Sequence, residues 1–284
     1  MKKILGSLGL SILLLAGLSS CQKDDTVEQQ NITVDGEFNT ECSYVDSNWG
    51  PNAYINTYII NQTQTNLMYS QSSNIARLLQ VPTVTLRFVH DNTSTSSTAN
   101  AISYSTGKIY FGETLYRQAL NYGQIVPVMV LAHEYGHQVQ YRYSSVPSVH
   151  EYTARATELE SDGYAGYYMR RGYGASWDEA GPGFNFAYSI GDYYTNSAGH
   201  HGTPPQRRSA TRLGWYLGAY NLSATSFDQY FFYYYEKYVL PGNLRPVQKP
   251  KYIDDEIDKF ISSKLEELIK INTGEISAEE FEKL

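Results

Sequence analysis

Residues 126–140 read VPVMVLAHEYGHQVQ, and this stretch decides the fold that the rest of the chain builds around it. Pro127 suits the first turn of a helix, and the apolar residues after it predict a helix that is buried on nearly all sides. His133 and His137 are four residues apart, so both rings project from one side of that helix and can reach one metal ion. Glu134 can approach a water molecule on that ion. Burying these side chains without a partner would be costly, and a metal ion supplies the partner.

A third protein ligand is needed if a fourth position on the metal is to stay open to water. The segment ELESD, residues 158–162, lies in the next predicted helix. Glu158 and Asp162 share a face of that helix, so Glu158 can bind the metal while Asp162 hydrogen-bonds a ligand histidine from behind. Glu160 is the alternative third ligand. As a ligand, Glu160 would have no supporting carboxylate one helical turn later. A position on a solvated face of the helix is also more plausible for Glu160 than for Glu158.

Four blocks of the sequence together resemble the bacterial neutral zinc metallopeptidase family. That family is similar to the gluzincins and to the integral-membrane peptidases that process prenylated proteins or respond to heat shock. The resemblance covers roughly residues 100–220, with the blocks in the family's order. The blocks are His133–Gln140 (HEYGHQVQ), Glu158–Gly166 (ELESDGYAG), Ile190-Gly191-Asp192, and His201-Gly202-Thr203 with Gln206-Arg207 and Trp215.

The resemblance implies an α+β, zincin-like fold, mostly helical, with a small sheet next to the active-site helix. The helical extension at the C-terminus lies outside the match and is predicted from its own apolar periodicity. It implies one zinc ion bound by His133, His137 and Glu158, with Glu134 as the general base and Asp162 as the support of a ligand histidine. The activity that it implies is hydrolysis of peptide bonds.

The family also carries a histidine followed six residues later by an arginine, before a helix and beside the substrate. His201 and Arg207 match that spacing. Stabilising the oxyanion of the reaction needs a further donor, for which His201 is the first choice and Arg207 the weaker one. A tyrosine is a third candidate, although the sequence does not select one of the 27 tyrosines.

Three positions depart from the family's pattern. Gln138 stands where a second histidine often follows the motif, and Ser161 and Gly163 replace the alanine and cysteine that flank the aspartate. None of these departures removes a predicted metal ligand. They affect the expected substrate and cellular location of the protein more than the expected chemistry of its metal site.

The N-terminus predicts export and lipid anchoring. Two lysines precede an apolar run, Ile4–Leu18, and the sequence LSSC that ends at Cys21 resembles a bacterial lipobox. Cys21 is then the lipidation site, and the chain is predicted in the cell envelope, at the outer membrane, on its periplasmic or outer face. The alternative is an ordinary signal peptide with an incidental cysteine. Cys42 is left without a partner, so no intramolecular disulfide is expected.

Composition limits the partners and the number of domains. The 284 residues are 42% hydrophobic, which is enough for one sizeable core, and the net charge of −7 argues against a nucleic-acid partner. The expected partners are a protein or peptide substrate and the membrane. The expected organisation is a signal peptide at 1–20, a flexible tether at 21–40, a zinc metallopeptidase domain at 41–245, and an amphipathic helical extension at 246–284.

Periodicity and turn residues predict the local elements. A helix is expected across Tyr54–Ile59, a second helix ending at Leu79 before Pro82, an exposed connection at 91–100, a helix over Tyr152–Met169, a loop-rich segment around Gly181 and Gly183, a helix over Pro205–Tyr220, and one or two amphipathic helices in 249–284. Alternation predicts a strand at Thr83–Val89 and a hairpin-like pair of strands at Ala101–Tyr104 and Lys108–Phe111.

The predicted function is a zinc-dependent endopeptidase that acts outside the cytoplasm. The segment Ala101–Gly112 resembles the edge strand on which zincins lay an extended peptide, which favours extended or unfolded substrates. The alternative is a membrane-anchored, non-proteolytic lipoprotein that uses the same fold as a chaperone or assembly factor. The aromatic run Tyr230–Tyr235 is more typical of core than of a substrate site and is given no role.

Overall fold

The computed structural model describes residues 49–143, 153–189 and 200–284, and within them the chain is a mixed α+β fold, mostly helical with one small sheet. The predicted signal peptide and tether, Cys21, Cys42 and the block Ile190-Gly191-Asp192 lie outside the described residues. Among the helices of the described ranges, none combines the length and apolarity that crossing a bilayer requires.

The sheet has four strands in the order β1-β2-β4-β3. Strand β2 runs parallel to β4, and the two outer pairs are antiparallel, so β3 forms one edge of the sheet. The predicted central strand and hairpin are confirmed. The strands are β1 (Tyr54–Asn56), β2 (Thr85–His90), β3 (Ala101–Tyr104) and β4 (Lys108–Gly112).

The first predicted helix is wrong, because Tyr54–Asn56 is the short strand β1, whose backbone pairs with Phe88–His90 of β2. The helix α1 (Gln62–Leu79) begins only after this strand. The side chain of Asn61 starts it by accepting a hydrogen bond of 2.9 Å from the backbone N–H of Gln64. As predicted, the helix ends before Pro82.

The remaining helices pack on the sheet and on one another. Single π-helical turns, Met169–Tyr173 and Tyr235–Val239, extend the fourth and seventh helices. These helices are α2 (Glu113–Leu120), α3 (Val126–Tyr143), α4 (Arg155–Tyr168), α5 (Trp177–Ser189), α6 (Pro204–Leu217), α7 (Ala224–Tyr234), α8 (Asp255–Ser262), α9 (Leu265–Thr273) and α10 (Ala278–Glu282).

Helices α3, α4 and α6 form the centre of the molecule. As predicted, α3 is buried continuously from Val126 to Val139. Glycines let α4 and α6 approach backbone to backbone, since a Cβ atom on Gly214 would lie 1.9 Å from the carbonyl oxygen of Gly163. The close crossing fixes the position of α4 between α3 and α6.

The loop-rich segment predicted around Gly181 is instead the helix α5, which contains Pro182. Its aromatic residues pack against rings from distant parts of the chain. The Trp177 ring lies 5.3 Å from the ring of Trp215 and 5.3 Å from that of Phe281, measured between centroids. These tertiary contacts outweigh the weak helix propensity of the glycines and proline.

The C-terminal segment forms three short helices, α8 to α10, rather than one or two. Their apolar residues belong to the same buried cluster as the residues of α3 and α4. Arg212 of α6 donates a 2.8 Å hydrogen bond to Glu267 of α9, which joins the segment to the helical centre. The segment is therefore part of the main core, and its buried side chains are those of Ile253, Ile257, Ile261, Leu265, Leu268, Ile271 and Phe281.

Candidate metal site

His133, His137 and Glu158 come together in the buried interior, where α3 faces α4. One ligand atom from each side chain lies within 4.8 Å of the other two. The Nε2 of His133 is 3.4 Å from one carboxylate oxygen of Glu158, and the Nε2 of His137 is 3.3 Å from the other. These three residues could bind a metal ion, which is the ligand set that the sequence predicted.

Both histidine rings are held from behind through Nδ1. The Nδ1 of His133 lies 2.9 Å from Asp162 Oδ1, and the Nδ1 of His137 lies 2.8 Å from Gln140 Oε1. A carboxylate oxygen and an amide oxygen can only accept, so each Nδ1 donates its proton. Each Nε2 then faces Glu158, and loss of its proton to solvent would give it the lone pair that a metal ligand requires.

Several buried polar atoms of the site have no hydrogen-bond partner and are suited to bind a cation. The Nε2 of His133 and both carboxylate oxygens of Glu158 are buried and have no hydrogen-bond partner. Burial raises the pKa of Glu158, but the attraction of His137 and His133 lowers it well below its ordinary value, so the carboxylate is ionised. A buried carboxylate without donors is costly, and a bound metal ion satisfies it together with the two histidines.

Glu160, the alternative ligand, is not part of this group. It accepts a hydrogen bond of 3.0 Å from Gln140 Nε2. The expectation that it occupies a solvated face is wrong, because the side chain is fully buried. The reason is that α4 is covered on both sides, by α3 and by α6. Gln140 thereby links Glu160 to His137 from behind.

Arg207 contacts Asp162 through two hydrogen bonds. Its Nε and Nη2 donate to the two carboxylate oxygens of Asp162, each over 2.7 Å. Burial raises the pKa of Asp162, but Arg207 and the hydrogen bond from His133 lower it below its ordinary value. The arginine that the sequence placed beside the substrate thus also fixes the carboxylate that supports His133.

Glu134 lies beside the metal-ligand group with its side chain buried. Burial raises its pKa above the ordinary glutamate value, and the nearby His133 and His137 offset only part of that increase. A raised pKa brings a carboxylate closer to neutral pH, where it can both accept and return a proton.

The departure at Gln138 has a structural explanation that the sequence did not supply. Its Nε2 donates to Ser103 Oγ over 2.7 Å and to the carbonyl oxygen of Tyr104 over 2.8 Å. Ser103 Oγ in turn donates to the backbone carbonyl of Glu134 over 2.9 Å. These bonds fasten the edge strand β3 to the helix α3 beside the metal-ligand group.

His201 lines the same cavity as His133, Glu134 and Arg207. Gly202, which follows it, adopts a φ of +97°, and a Cβ atom on it would lie 2.8 Å from the side chain of Leu159. The next residue, Thr203, starts α6 through a reciprocal capping box with Gln206. Among the described residues that line this cavity there is no tyrosine.

Comparison of the chain with protein-family models, with curated proteins and with solved structures gives no match in any of the three. The resemblance to the zinc metallopeptidases rests on the motifs, and the fit of the site to a metal rests on its own geometry.

Proposed function

We propose that the protein is a zinc-dependent endopeptidase of the zincin class. The observation that supports this most strongly is the buried group of His133, His137 and Glu158, which has both Nδ1 atoms held from behind and Glu134 beside it. Two histidines, one carboxylate and an open position are typical of catalytic zinc. A structural zinc site is closed by a fourth protein ligand, and the three-residue group found within the described ranges favours catalysis instead.

A zinc ion held by these three residues would supply a Lewis acid for the attacking water and the scissile carbonyl. Glu134 accepts the proton of that water and delivers it to the amine that leaves. His201, on the wall of the same cavity, is the donor proposed for the oxyanion. Asp162 and Arg207 together keep the ring of His133 oriented.

The substrate class follows from the edge strand. Ala101, the first residue of β3, lines the cavity together with Ala99 and Asn100. A peptide that pairs with the outer edge of β3 would replace two bonds made there, from the Ala101 N–H to Asn100 Oδ1 and from the Tyr141 hydroxyl to the Ser103 carbonyl. It would then pass its cleaved bond across Glu134. A segment whose backbone is already paired within a compact folded protein cannot make these bonds, and we propose extended or unfolded polypeptides as substrates.

The location belongs to the same proposal. Lipidation at Cys21 would hold the enzyme at a membrane of the cell envelope, where it would cleave polypeptides outside the cytoplasm. The predicted tether, residues 21–40, would separate the catalytic centre from the lipid surface.

The test is the conservative substitution Glu134→Gln, which removes the base and keeps the size of the side chain. The purified wild type is expected to carry about one zinc per chain and to hydrolyse reduced, denatured protein. Glu134→Gln should keep its zinc and lose hydrolysis by roughly a hundredfold or more. The exposed Glu256→Gln serves as the matched control and should match the wild type. Equal hydrolysis by Glu134→Gln and the wild type would contradict the proposal and favour the non-proteolytic, chaperone-like alternative.

A further inference from the structure

A second cavity, of about 190 Å³, lies between α7 with its π-helical turn and the segment 243–252 that leads to α8. The helix contributes the rings of Phe232 and Tyr233, and the segment contributes Val247, Pro250 and Tyr252. No described residue lines both this cavity and the one beside the metal-ligand group. The space corresponds to about six water molecules, which is enough for one small ring with its substituents.

Hydrogen bonds and ion pairs hold the segment 243–252 in place beside α7 and α8. The hydroxyl of Tyr230 accepts a hydrogen bond of 2.8 Å from the backbone N–H of Asp254. Lys249 makes ion pairs with Asp255 and Asp258 of α8. The cavity is therefore already formed in the free protein, and a ligand would not have to order its walls.

Aromatic rings supply the apolar part of the walls. Residues Tyr230–Tyr235 are all buried, as predicted for a run that belongs to the core. The ring of Tyr252 is different, because this side chain is 51% exposed although it lines the cavity. Its face is therefore available to a ligand. The adjoining turn Tyr235–Val239, which carries Lys237 of the cavity wall, is π-helical, and such turns are frequent at functional sites.

The polar part of the walls is balanced in charge. Asp228 contributes one negative charge and Lys237 one positive charge, while Gln229 and Gln248 each offer both donors and an acceptor. A cation or an anion would meet a like charge as well as an opposite one, and a wholly apolar ligand would cover the amides without replacing their hydrogen bonds to water. An uncharged ring with hydroxyl groups at its rim and C–H groups on its faces matches both parts of the walls.

We propose that this cavity is a saccharide-binding site. A C–H face of the sugar ring packs on the ring of Tyr252, and the hydroxyl groups exchange hydrogen bonds with Gln229 and Gln248. The site goes beyond the proposed peptidase function and does not depend on it. A free sugar and one unit of a glycan chain share this chemistry, and the experiment below distinguishes them.

The test is ligand-observed NMR titration of the purified protein with glucose, galactose, mannose, N-acetylglucosamine, maltotriose and chitotriose. At least one of these saccharides should bind with a Kd of about 1–10 mM or lower, the range that ordinary ligand efficiency gives for a single sugar ring. Tyr252→Ala should weaken that binding by about fivefold, because the stacking surface is lost. Gln229→Ala should weaken it by a similar factor of about five, because hydrogen bonds are lost. Tyr173→Ala removes an exposed tyrosine that does not line the cavity, and should bind like the wild type.

The same titration identifies the source of the saccharide. A trisaccharide that binds at least about tenfold more tightly than its own monosaccharide assigns the site to a glycan chain, and equal affinities assign it to a free sugar. Glycyl-leucine, choline and acetate are the zwitterionic, cationic and anionic probes, and none of them should displace the bound saccharide.

Two further measurements separate this site from folding and from the peptidase function. The thermal midpoint of each variant reports folding, and the exposed Tyr252→Ala carries the test if Gln229→Ala does not fold. Hydrolysis of denatured protein by Tyr252→Ala should equal that of the wild type, whether or not the wild type proves to be a peptidase. The saccharide site is overturned if no saccharide of the panel binds, if a charged probe displaces the saccharide, or if Tyr252→Ala binds it as well as the wild type does.

Discussion

Glu158 and Glu160 are two residues apart on one buried helix, and the structure gives them different partners. Glu158 faces both histidines, whereas Glu160 accepts a hydrogen bond from Gln140. We predict that Glu158→Ala abolishes stoichiometric metal binding and that added zinc no longer raises its thermal midpoint, because a ligand binding the native state stabilises it. Glu160→Ala should keep its metal. Metal analysis and thermal melts with and without zinc check this, and loss of metal from Glu160→Ala alone would reassign the third ligand.

Asp162 joins a buried arginine to a metal-ligand histidine, so its loss has two separable effects. Asp162→Leu should weaken zinc binding by about 10–100-fold, because the ring of His133 loses its support. It should also cost about 3–5 kcal/mol of stability, because Arg207 is left buried and unpaired. The double variant Asp162→Leu/Arg207→Leu should recover most of the stability while zinc binding stays weak. Urea unfolding and chelator competition measure the two quantities, and joint recovery of both would exclude the positioning role.

Asp91 is a carboxylate near the surface that accepts four hydrogen bonds from residues close to it in the chain. Burial raises its pKa, but hydrogen bonds from Ser97, Thr93 and Ser94 lower it from 3.8 to about 2. A lowered pKa in the folded state means that the stabilisation is present above pH 4 and is lost as the pH falls towards 2. Asp91→Asn should therefore cost about 1 kcal/mol at pH 7, a modest value because the site is partly exposed to solvent. Urea midpoints at pH 7, 4 and 3 test it, and a wild-type advantage that did not shrink below pH 4 would be inconsistent with this account.

Local sequence patterns predict some of the helices and strands and miss others. A continuous apolar run predicts helix α3, and alternation of apolar and polar residues predicts strand β2. Strand β1 is only three residues long, too short to display a two-residue period. Its pair Tyr54-Ile55 and the pair Tyr58-Ile59 beyond it together fit a helical spacing. Helix α5 contains Gly181, Pro182 and Gly183, so only the packing of Trp177 and Phe184 against distant rings reveals it.

The crossing of α4 and α6 depends on a glycine at its point of closest approach. A Cβ atom on Gly214 would overlap the carbonyl oxygen of Gly163, which is backbone and cannot rotate away. Gly214→Ala should therefore destabilise the protein by about 3 kcal/mol and move Asp162 relative to Arg207, with weaker zinc binding as a consequence. Lys259→Ala, at an exposed helical position, is the control and should be neutral. Chemical unfolding and zinc titration measure the effect, and a stable Gly214→Ala variant would show that the two helices can separate without cost.

At the scale of the whole molecule, the site draws on elements that are far apart in the chain. The helical spacing of His133, Glu134 and His137 is visible in the sequence because all three lie within one turn and a half of helix. The hydrogen bonds from Gln138 to Ser103 and from Arg207 to Asp162 join residues that are 35 and 45 positions apart in the chain. A local periodicity in the sequence cannot predict contacts between residues so far apart. The sequence could therefore predict which residues form the group that could bind a metal ion. Of the residues that hold those side chains in place, the sequence predicted Asp162, and the others were identified only from the tertiary structure.

The last described helix, α10, supports from a distance the cavity that Glu134 and His133 line. Phe281 is fully buried, its ring packs against Trp177 and Phe184 of α5, and its carbonyl accepts a hydrogen bond of 3.1 Å from Trp177 Nε1. Helix α5 also carries Phe186 on the cavity wall.

Phe281→Ala should therefore cost about 3–5 kcal/mol and loosen α5 before the rest of the chain unfolds. Zinc should remain bound, since its ligands lie on α3 and α4, while cleavage of peptides falls because one wall of the cavity opens. Native-state hydrogen exchange should show faster exchange at amides 177–189, and the exposed Leu284→Ala should show no change. Unchanged protection of α5 in Phe281→Ala would mean that α5 holds its place through its contacts with α3 and α6, and that the C-terminal segment stabilises the core without supporting the site.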